Sequence, residues 1–160
     1  MPDKPTLDGP YPGSATTQAT GGKPLNILLV EDDDGDAKAI QRAFLQARIA
    51  NQIVRAIDGI DALDCLKGMN GKAAIHSPYV LLVDLNMPRM NGIQLIEALR
   101  RDKNLHQTIV FVLTTSKSDE DKLAAYNLNV AGYIVKETAG HDFLNLVSLM
   151  NFFWRVVEIP

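Results

Sequence analysis

Five short apolar runs alternate with segments of helical periodicity, and this alternation constrains the fold more than any other feature of the chain. The runs occupy residues 25–30, 53–56, 79–83, 109–113 and 131–135. The most apolar of them are continuous rather than alternating, which is typical of strands buried on both faces. Strands that alternate with helices form a parallel sheet covered by helices on both sides. The sequence therefore predicts an α/β fold with a five-stranded parallel sheet.

Helical stripes between the runs complete the pattern. Apolar residues at helical spacing follow the first three runs at Ala37, Ile40, Phe44 and Ala47; at Ile60, Leu63 and Leu66; and at Ile93, Ile96 and Leu99. Ser118 and Asp121 have the spacing of a capping box and predict the start of a fourth helix. The last helix is predicted to begin near Thr138. Asp34 is predicted to cap the first helix.

Polar and charged residues follow four of the five predicted strands. The acidic run EDDDGD at 31–36 follows the first strand, Asp84 the third, Thr114 the fourth and Lys136 the fifth. In open parallel sheets, ligands bind outside the carboxyl ends of the strands, where the strand order reverses. We therefore expect these side chains to converge on one site.

The residue types in this set indicate a particular chemistry. Carboxylates gathered in one pocket repel each other unless a cation joins them, and Mg²⁺ is a hard cation that takes carboxylates together with phosphate oxygens. Lys136 offers a point charge and Thr114 a hydroxyl donor. A strand-end carboxylate with this support is suited to act as a nucleophile that forms an aspartyl phosphate.

Each residue also has an ordinary structural interpretation. The acidic run caps a helix, Asp84 begins a turn with Asn86 and Pro88, and Thr114 is a common strand residue. Lys136 taken alone would be a solvated surface cation. The occurrence of all these types at successive strand ends favours the chemical interpretation.

Length and composition restrict the remaining possibilities. With 160 residues the chain suits one domain, and 46% hydrophobic residues, 22% charged residues and a net charge of −3 are typical of a globular protein without general affinity for nucleic acid. Residues 1–24 are rich in Pro, Gly, Ser and Thr and are predicted to be a disordered tail that precedes one domain at 25–160. No segment has the 18 or more apolar residues of a membrane span.

The single cysteine also carries information. Cys65 excludes an intrachain disulfide and a cysteine-rich zinc site, which fits a cytoplasmic location. It lies in the apolar pattern of the second helix, so we expect a small core residue rather than a reactive thiol.

Four motifs together resemble the receiver domain of two-component response regulators. They are VED at 30–32, DLNMPRMNG at 84–92, LTTS at 113–116 and GYIVK at 132–136. The resemblance extends over about 110 residues and implies a flavodoxin-like sheet of strand order 2-1-3-4-5. It also implies that a sensor histidine kinase transfers a phosphoryl group to the chain.

Residue roles follow from the resemblance position by position. Asp84 would accept the phosphoryl group, and Lys136 would pair with Asp84 and then with the phosphate. Glu31, Asp32 and Asp84 would hold Mg²⁺ together with the backbone carbonyl of Asn86.

Two further residues would carry the response. Thr114 would hydrogen-bond to a phosphoryl oxygen, and Tyr133 would turn inward as the aromatic switch. Glu137 stands where the family usually has proline, which leaves the shape of the following loop open.

Two other function classes are alternatives to a receiver domain. A hydrolase of the haloacid dehalogenase type also uses a strand-end Asp, but it needs a second Asp two residues later, where this chain has Asn86. A scaffold that binds partners without phosphorylation would not need the set Asp32, Asp84 and Lys136. The chain is therefore predicted to be a phosphoacceptor, with at most self-phosphorylation and autodephosphorylation activity.

The C-terminal region predicts how the signal leaves the molecule. With the chain ending at Pro160, we expect no output domain and a signal transmitted through protein contacts. The last helix has one apolar seam and further large apolar groups outside it. The ending NFFWRVVEIP resembles stand-alone receivers that partner bacteriophytochrome kinases and dimerise through a C-terminal arm. The predicted arm is 150–160, and the predicted interface residues are Phe152, Phe153, Trp154, Val156 and Val157.

Overall fold

A parallel sheet forms the centre of the computed structural model, which describes residues 25–49 and 52–159. In this part of the chain the strands are β1 (Asn26–Val30), β2 (Ile53–Ala56), β3 (Tyr79–Val83), β4 (Val110–Thr114) and β5 (Gly132–Val135). They pair in the order β2-β1-β3-β4-β5, and every pairing is parallel. The predicted flavodoxin-like order 2-1-3-4-5 is confirmed. The predicted tail at 1–24 lies outside the described residues.

Helices cover both faces of the sheet, as predicted. In the described residues the α-helices are α1 (Asp34–Gln46), α2 (Gly59–Lys67), α3 (Gly92–Arg101), α4 (Asp119–Asn127) and α5 (Leu144–Val156). The apolar side chains of α1 and α5 form a core on one face, and those of α2, α3 and α4 form a second core on the other. None of these helices is both long enough and apolar enough to cross a membrane.

The central strands serve both cores at once. Leu28 and Leu81 lie in the core under α2 and α3, whereas Leu29 and Leu82 lie in the core under α1 and α5. Because successive side chains of a strand point to opposite faces, a strand between two cores must be apolar at every position. Burial of one such leucine contributes about 1.5–3 kcal/mol. This burial explains the continuous apolar runs of the sequence.

Polar residues at the strand-to-helix junctions define the helix starts. The cap of α1 is Asp33, whose side chain accepts a hydrogen bond from the backbone N–H of Asp36, so the prediction of Asp34 was wrong by one residue. Asp34 is the first helical residue and pairs instead with Arg55. Successive aspartates can all cap a helix by type, so only the backbone conformation distinguishes them.

The chain enters α5 later than predicted. It leaves β5 through two short 3-10 turns, Lys136–Thr138 and His141–Phe143, and α5 begins at Leu144 rather than near Thr138. Asp142 and Phe143 have φ angles of 50° and 61°, which a continuous right-handed helix cannot contain. The helical periodicity of the sequence continues across this break, so it does not reveal the true start.

The apolar stripe of α2 differs from its prediction at one residue. Ile60 is 37% exposed, whereas Ala62 and Cys65 are buried with Leu66. Of the predicted stripe, Leu66 is buried and Leu63 packs against the same core, so the prediction was wrong only at Ile60. The prediction that Cys65 is a core residue is confirmed, because it is 3% exposed.

The N-terminal cap of α3 allows the contribution of such a cap to stability to be tested. The Asn91 side chain accepts from the backbone N–H of Gln94, and the Gln94 side chain accepts from the backbone N–H of Asn91. We expect Asn91→Ala to lower the free energy of unfolding by about 1 kcal/mol, because α3 loses this reciprocal cap. Urea denaturation measures the change, with Asn91→Asp as a control that keeps a capping oxygen. An unchanged midpoint for Asn91→Ala would contradict the assignment.

Candidate functional site

Three carboxylates meet at the carboxyl edge of the sheet. Glu31 and Asp32 follow β1, Asp84 follows β3, and one carboxylate oxygen from each lies within 4.8 Å of the others. Backbone hydrogen bonds of the sheet continue beyond the strands and fix Glu31 and Asp84. The Glu31 N–H donates to the Ala56 carbonyl at 3.0 Å, and the Asp84 N–H donates to the Val30 carbonyl at 3.0 Å. Glu31 and Asp84 are buried and Asp32 is exposed, so the cluster opens to solvent on one side.

Lys136 is the cation of this site, and carboxylates surround its ammonium group. Its Nζ lies 2.7 Å from Glu31, 2.7 Å from Asp36 and 3.1 Å from Asp84, and the side chain is only 9% exposed. The predicted pairing of Lys136 with Asp84 is therefore present in the unmodified chain. The contact with Asp36 was not predicted. Only the run of acidic residues at 31–36 hinted at it, without indicating which member would reach Lys136.

The surroundings shift the proton affinity of both partners. Burial and the charge of Asp84 together raise the pKa of Glu31 to about 7, against the lowering effect of the hydrogen bond from Lys136. Burial alone would lower the pKa of Lys136, but the hydrogen bonds to Asp36 and Glu31 and the charge of Asp84 raise it well above its ordinary value. Lys136 therefore holds its proton more strongly than a free lysine, and Glu31 holds its proton more strongly than a free carboxyl group.

The loop after Asp84 is held by contacts at several points. The backbone N–H of Asn86 donates to a carboxylate oxygen of Asp84 at 3.2 Å, and the Asn86 side chain is exposed. Further along the loop, Arg89 donates to the buried Asp58 carboxylate at 2.6 Å. A Cβ atom at Gly92 would overlap the carbonyl oxygen of Asp84. The start of α3 is therefore packed directly against the backbone of Asp84.

Thr114 and Tyr133 meet at Ser116 rather than at Asp84. Thr114 is completely buried, and its hydroxyl accepts a hydrogen bond from the Ser116 N–H at 3.3 Å. The Tyr133 hydroxyl donates to the Ser116 carbonyl at 3.0 Å, and the Ser116 hydroxyl donates to Asp121 at 2.5 Å. Within the described residues neither Thr114 nor Tyr133 is a hydrogen-bond partner of Asp84. They form a separate group beside the carboxylate cluster.

Arg55 on β2 is a residue that sequence reasoning missed. Its guanidinium donates to the backbone carbonyls of Glu31 at 3.0 Å and Asp32 at 3.2 Å, and to the Asp34 carboxylate at 2.6 Å. One planar group with several donors thus fixes the loop that carries two of the clustered carboxylates. The sequence gives no signal for this role, because Arg55 lies inside an apolar run and the contact depends on β2 pairing with β1.

Glu137, which stands where receiver domains usually have proline, lies in a defined turn. Glu137 lies in the first 3-10 turn after β5 and forms an ion pair with Lys117. Both side chains are more than 60% exposed, so the pair is screened by solvent and contributes little to stability. The turn keeps Lys136 in the site without proline.

The C-terminal helix presents two kinds of apolar residue. Phe153 packs edge-on against Phe111 with ring centroids 5.0 Å apart, and Trp154 also packs against the core under α1 and α5. Phe152, Val156 and Val157 are 69%, 76% and 42% exposed. Of the predicted interface residues, these three are the accessible ones, and the other two already contact the domain itself.

Comparison with known proteins identifies the family. The model of the response regulator receiver domain matches residues 27–148. The chain belongs to the response regulator receiver family. Receiver domains bind Mg²⁺ at an acidic site, take part in signalling with histidine kinases and typically act as phosphoacceptors rather than enzymes.

Relatives of similar length extend this comparison. Response regulator Rcp1 of Synechocystis sp. is 30% identical over 138 residues, which cover 86% of this chain and 94% of Rcp1. The crystal structure of the phosphorylated cyanobacterial phytochrome response regulator RcpA matches with a TM-score of 0.74 and 29% identity over 84% of this chain and 96% of RcpA. The Mn²⁺-bound form of Rcp1 matches with a TM-score of 0.73 and 28% identity over 84% of this chain and 98% of that structure. The chain is therefore similar to response regulators of phytochromes.

The titration of Glu31 leads to a testable pH dependence. Its pKa is raised to about 7. A proton on Glu31 would compete with any divalent cation held by the carboxylate cluster, so we expect Mg²⁺ affinity to fall as the pH is lowered from about 8 to about 6. Calorimetric titration with Mg²⁺ measures this change, and Glu31→Gln is the control that should bind more weakly but with a flatter pH profile. An equally steep profile in Glu31→Gln would contradict the assignment.

Proposed function

We propose that this response regulator accepts a phosphoryl group from the phosphohistidine of a sensor histidine kinase onto Asp84. One observation carries the proposal. The Asp84 carboxylate belongs to the cluster with Glu31 and Asp32 and also contacts the Lys136 ammonium at 3.1 Å. A carboxylate in this position can act as a nucleophile because positive charge is available for the anionic group that it receives.

The carboxylate cluster fits a divalent cation. Glu31, Asp32 and Asp84 place three carboxylate oxygens within 4.8 Å of one another, and Lys136 alone cannot balance their charge. All three ligands are hard oxygen donors, the type that Mg²⁺ prefers. We propose that these residues hold Mg²⁺ together with the backbone carbonyl of Asn86. When bound, the ion neutralises the charge that gathers on the phosphoryl oxygens.

Asp84, Lys136 and Thr114 have different roles in the transfer of the phosphoryl group. An Asp84 oxygen attacks the phosphorus in line, and the new P–O bond forms as the P–N bond breaks. The electron pair of the P–N bond stays on the histidine nitrogen, and the histidine departs as neutral imidazole because its other ring nitrogen carries the proton. Lys136 donates a hydrogen bond to the transferred group. The Thr114 hydroxyl leaves its contact with Ser116 and donates to a phosphoryl oxygen.

The movement of Thr114 gives a route for the response. The backbone N–H of Ser116 donates to the Thr114 hydroxyl, and the backbone carbonyl of Ser116 accepts from the Tyr133 hydroxyl. A movement of Thr114 therefore shifts the residue that holds the Tyr133 side chain in place. We propose that Tyr133 then turns inward and changes the surface beside α4. The charge added at Asp84 supplies the free energy for this shift.

The acceptor assignment can be tested by intact mass. Incubation with Mg²⁺ and acetyl phosphate should add one phosphoryl group to the wild type and none to Asp84→Asn, because an amide is a poor nucleophile. Asp119→Asn, an exposed aspartate of α4, is the matched control and should be modified like the wild type. Modification of Asp84→Asn would show that another residue is the acceptor. A folded wild type that takes up nothing would favour the phosphorylation-independent scaffold.

The relatives suggest the kind of kinase. RcpA is a cyanobacterial phytochrome response regulator, and this chain is 29% identical to it over nearly the whole length of RcpA. We propose that the partner is a phytochrome-type histidine kinase and that the exchange takes place in the cytoplasm. The chain would act on its targets through protein contacts rather than through nucleic acid.

The exposed residues of α5 support self-association. Leu149, Phe152 and Val156 lie at helical spacing on the outer face of α5 and are 42%, 69% and 76% exposed, and Val157 follows the helix with 42% exposure. Apolar groups in such a row favour burial against a second surface. We propose that this surface is the same region of a second copy, which gives a homodimer with two-fold symmetry.

Sedimentation can test the homodimer. The double variant Phe152→Ser and Val156→Ser should shift the protein toward the monomer, because the paired helices lose apolar contact area. The fold should persist, since both side chains are exposed. Leu45→Ser on α1, which is 78% exposed, is the matched control and should sediment like the wild type. A wild type that is monomeric at all concentrations, or a double variant that remains dimeric, would contradict the proposal.

A further inference from the structure

Asp36 binds the lysine of the site without belonging to the carboxylate cluster. It lies in the first turn of α1, where its backbone N–H donates to the capping Asp33 side chain at 2.7 Å. Its carboxylate contacts the Lys136 Nζ at 2.7 Å, a shorter contact than that between Lys136 and Asp84 at 3.1 Å. The side chain is 38% exposed, so solvent screens it only in part. Asp36 is therefore a strong and partly shielded partner of Lys136.

The Lys136 ammonium has no donor to spare in the unmodified chain. It carries three N–H groups, and Glu31, Asp36 and Asp84 each occupy one contact around it. The Lys136 side chain is only 9% exposed, so few water molecules can replace these carboxylates. When Asp84 becomes an acyl phosphate, a phosphoryl oxygen takes over the Asp84 contact and must share the ammonium group with Glu31 and Asp36, which keep theirs.

The charge of Asp36 also acts on Asp84 directly. Because the two carboxylates contact the same Nζ at 2.7 Å and 3.1 Å, their oxygens lie less than about 6 Å apart, a distance at which like charges repel. Phosphorylation of Asp84 adds negative charge at this point. Glu31 and Asp84 can share their charge with a cation in the cluster, whereas Asp36 lies outside that cluster.

We propose, resting on the phosphoacceptor function above, that Asp36 is a positioning residue that competes with the phosphoryl group for Lys136 and thereby shortens the lifetime of the aspartyl phosphate. In the unmodified chain it holds the ammonium beside Asp84. In the phosphorylated chain it draws the ammonium away from the phosphoryl oxygens. Hydrolysis then breaks the bond between phosphorus and the Asp84 oxygen, water supplies the new oxygen, and inorganic phosphate leaves.

The proposal predicts two effects of opposite sign for Asp36→Asn. The variant keeps the shape of the side chain and removes one negative charge near the cluster. The Mg²⁺ concentration for half-saturation should rise by about threefold to tenfold, as expected for loss of one nearby charge. The half-life of the aspartyl phosphate at saturating Mg²⁺ should lengthen by about twofold to fivefold, because Lys136 and the phosphoryl group interact without competition. A merely structural role would impair both properties together.

The experiment compares wild type, Asp36→Asn and Asp33→Asn. Each protein is titrated with Mg²⁺ by calorimetry, phosphorylated with acetyl phosphate, separated from the donor and followed by intact mass. Asp33→Asn removes the same charge from the same loop and keeps the helix cap, because Asn caps as well as Asp. Asp33→Asn should have the phosphoryl half-life of the wild type.

The outcomes distinguish the role of Asp36 from the phosphoacceptor function itself. Weaker Mg²⁺ binding by Asp36→Asn, together with a half-life that lengthens in this variant and not in Asp33→Asn, would support it. An unchanged or shorter half-life in Asp36→Asn, with normal uptake by the wild type, would overturn the role of Asp36 and leave the phosphoacceptor function intact. An equal lengthening in Asp33→Asn would overturn it in favour of general charge reduction. Absence of uptake by the wild type would overturn both.

Discussion

The parallel pairing of β1 with β3 is the interaction on which the rest of this structure depends. It aligns Val30 with Val83, so the residues that follow, Glu31 and Asp84, emerge side by side at one edge of the sheet. Leucines on alternate faces of both strands are fully buried and hold the pair rigidly between two cores. Two acidic side chains are thus forced together by hydrophobic burial, which opposes their repulsion. The polar site exists because the apolar strands leave its residues no alternative position.

The site then depends on charge balance among groups from distant parts of the chain. Lys136 arrives from β5, the guanidinium of Arg55 from β2, and the carboxylate of Asp36 from α1. Arg55 contacts backbone carbonyls and so fixes the loop itself, whereas Lys136 contacts the carboxylates and so sets their charge state. The negative charge of the cluster still exceeds the positive charge of Lys136, and this excess is what makes the pocket suited to a divalent cation.

Sequence reasoning reached the part of this site that depends on strand ends. Asp84 and Lys136 could be found because each directly follows an apolar run, and topology places such positions at one edge. Arg55 and the Lys136 contact of Asp36 could not be found, because they depend on strand pairing and on the rotation of α1. The late start of α5 was missed for a related reason: periodicity reports which faces are apolar, but the positive φ of Phe143 is a property of the backbone that side-chain type does not disclose.

Gly92 at the start of α3 makes the packing around Asp84 tighter on the side of α3 than on the side of β4 and β5. Gly92 N–H donates to the Leu85 carbonyl at 3.0 Å, and there is no room for even a methyl group between residue 92 and the Asp84 backbone. The start of α3 is therefore held directly against the backbone of Asp84. On the opposite side, the side chains of Thr114 and Tyr133 both form hydrogen bonds with the backbone of Ser116, and such bonds can be exchanged at little cost in free energy. Under the function proposed above, a rearrangement that begins at Asp84 would therefore extend toward β4 and β5 more easily than toward α3.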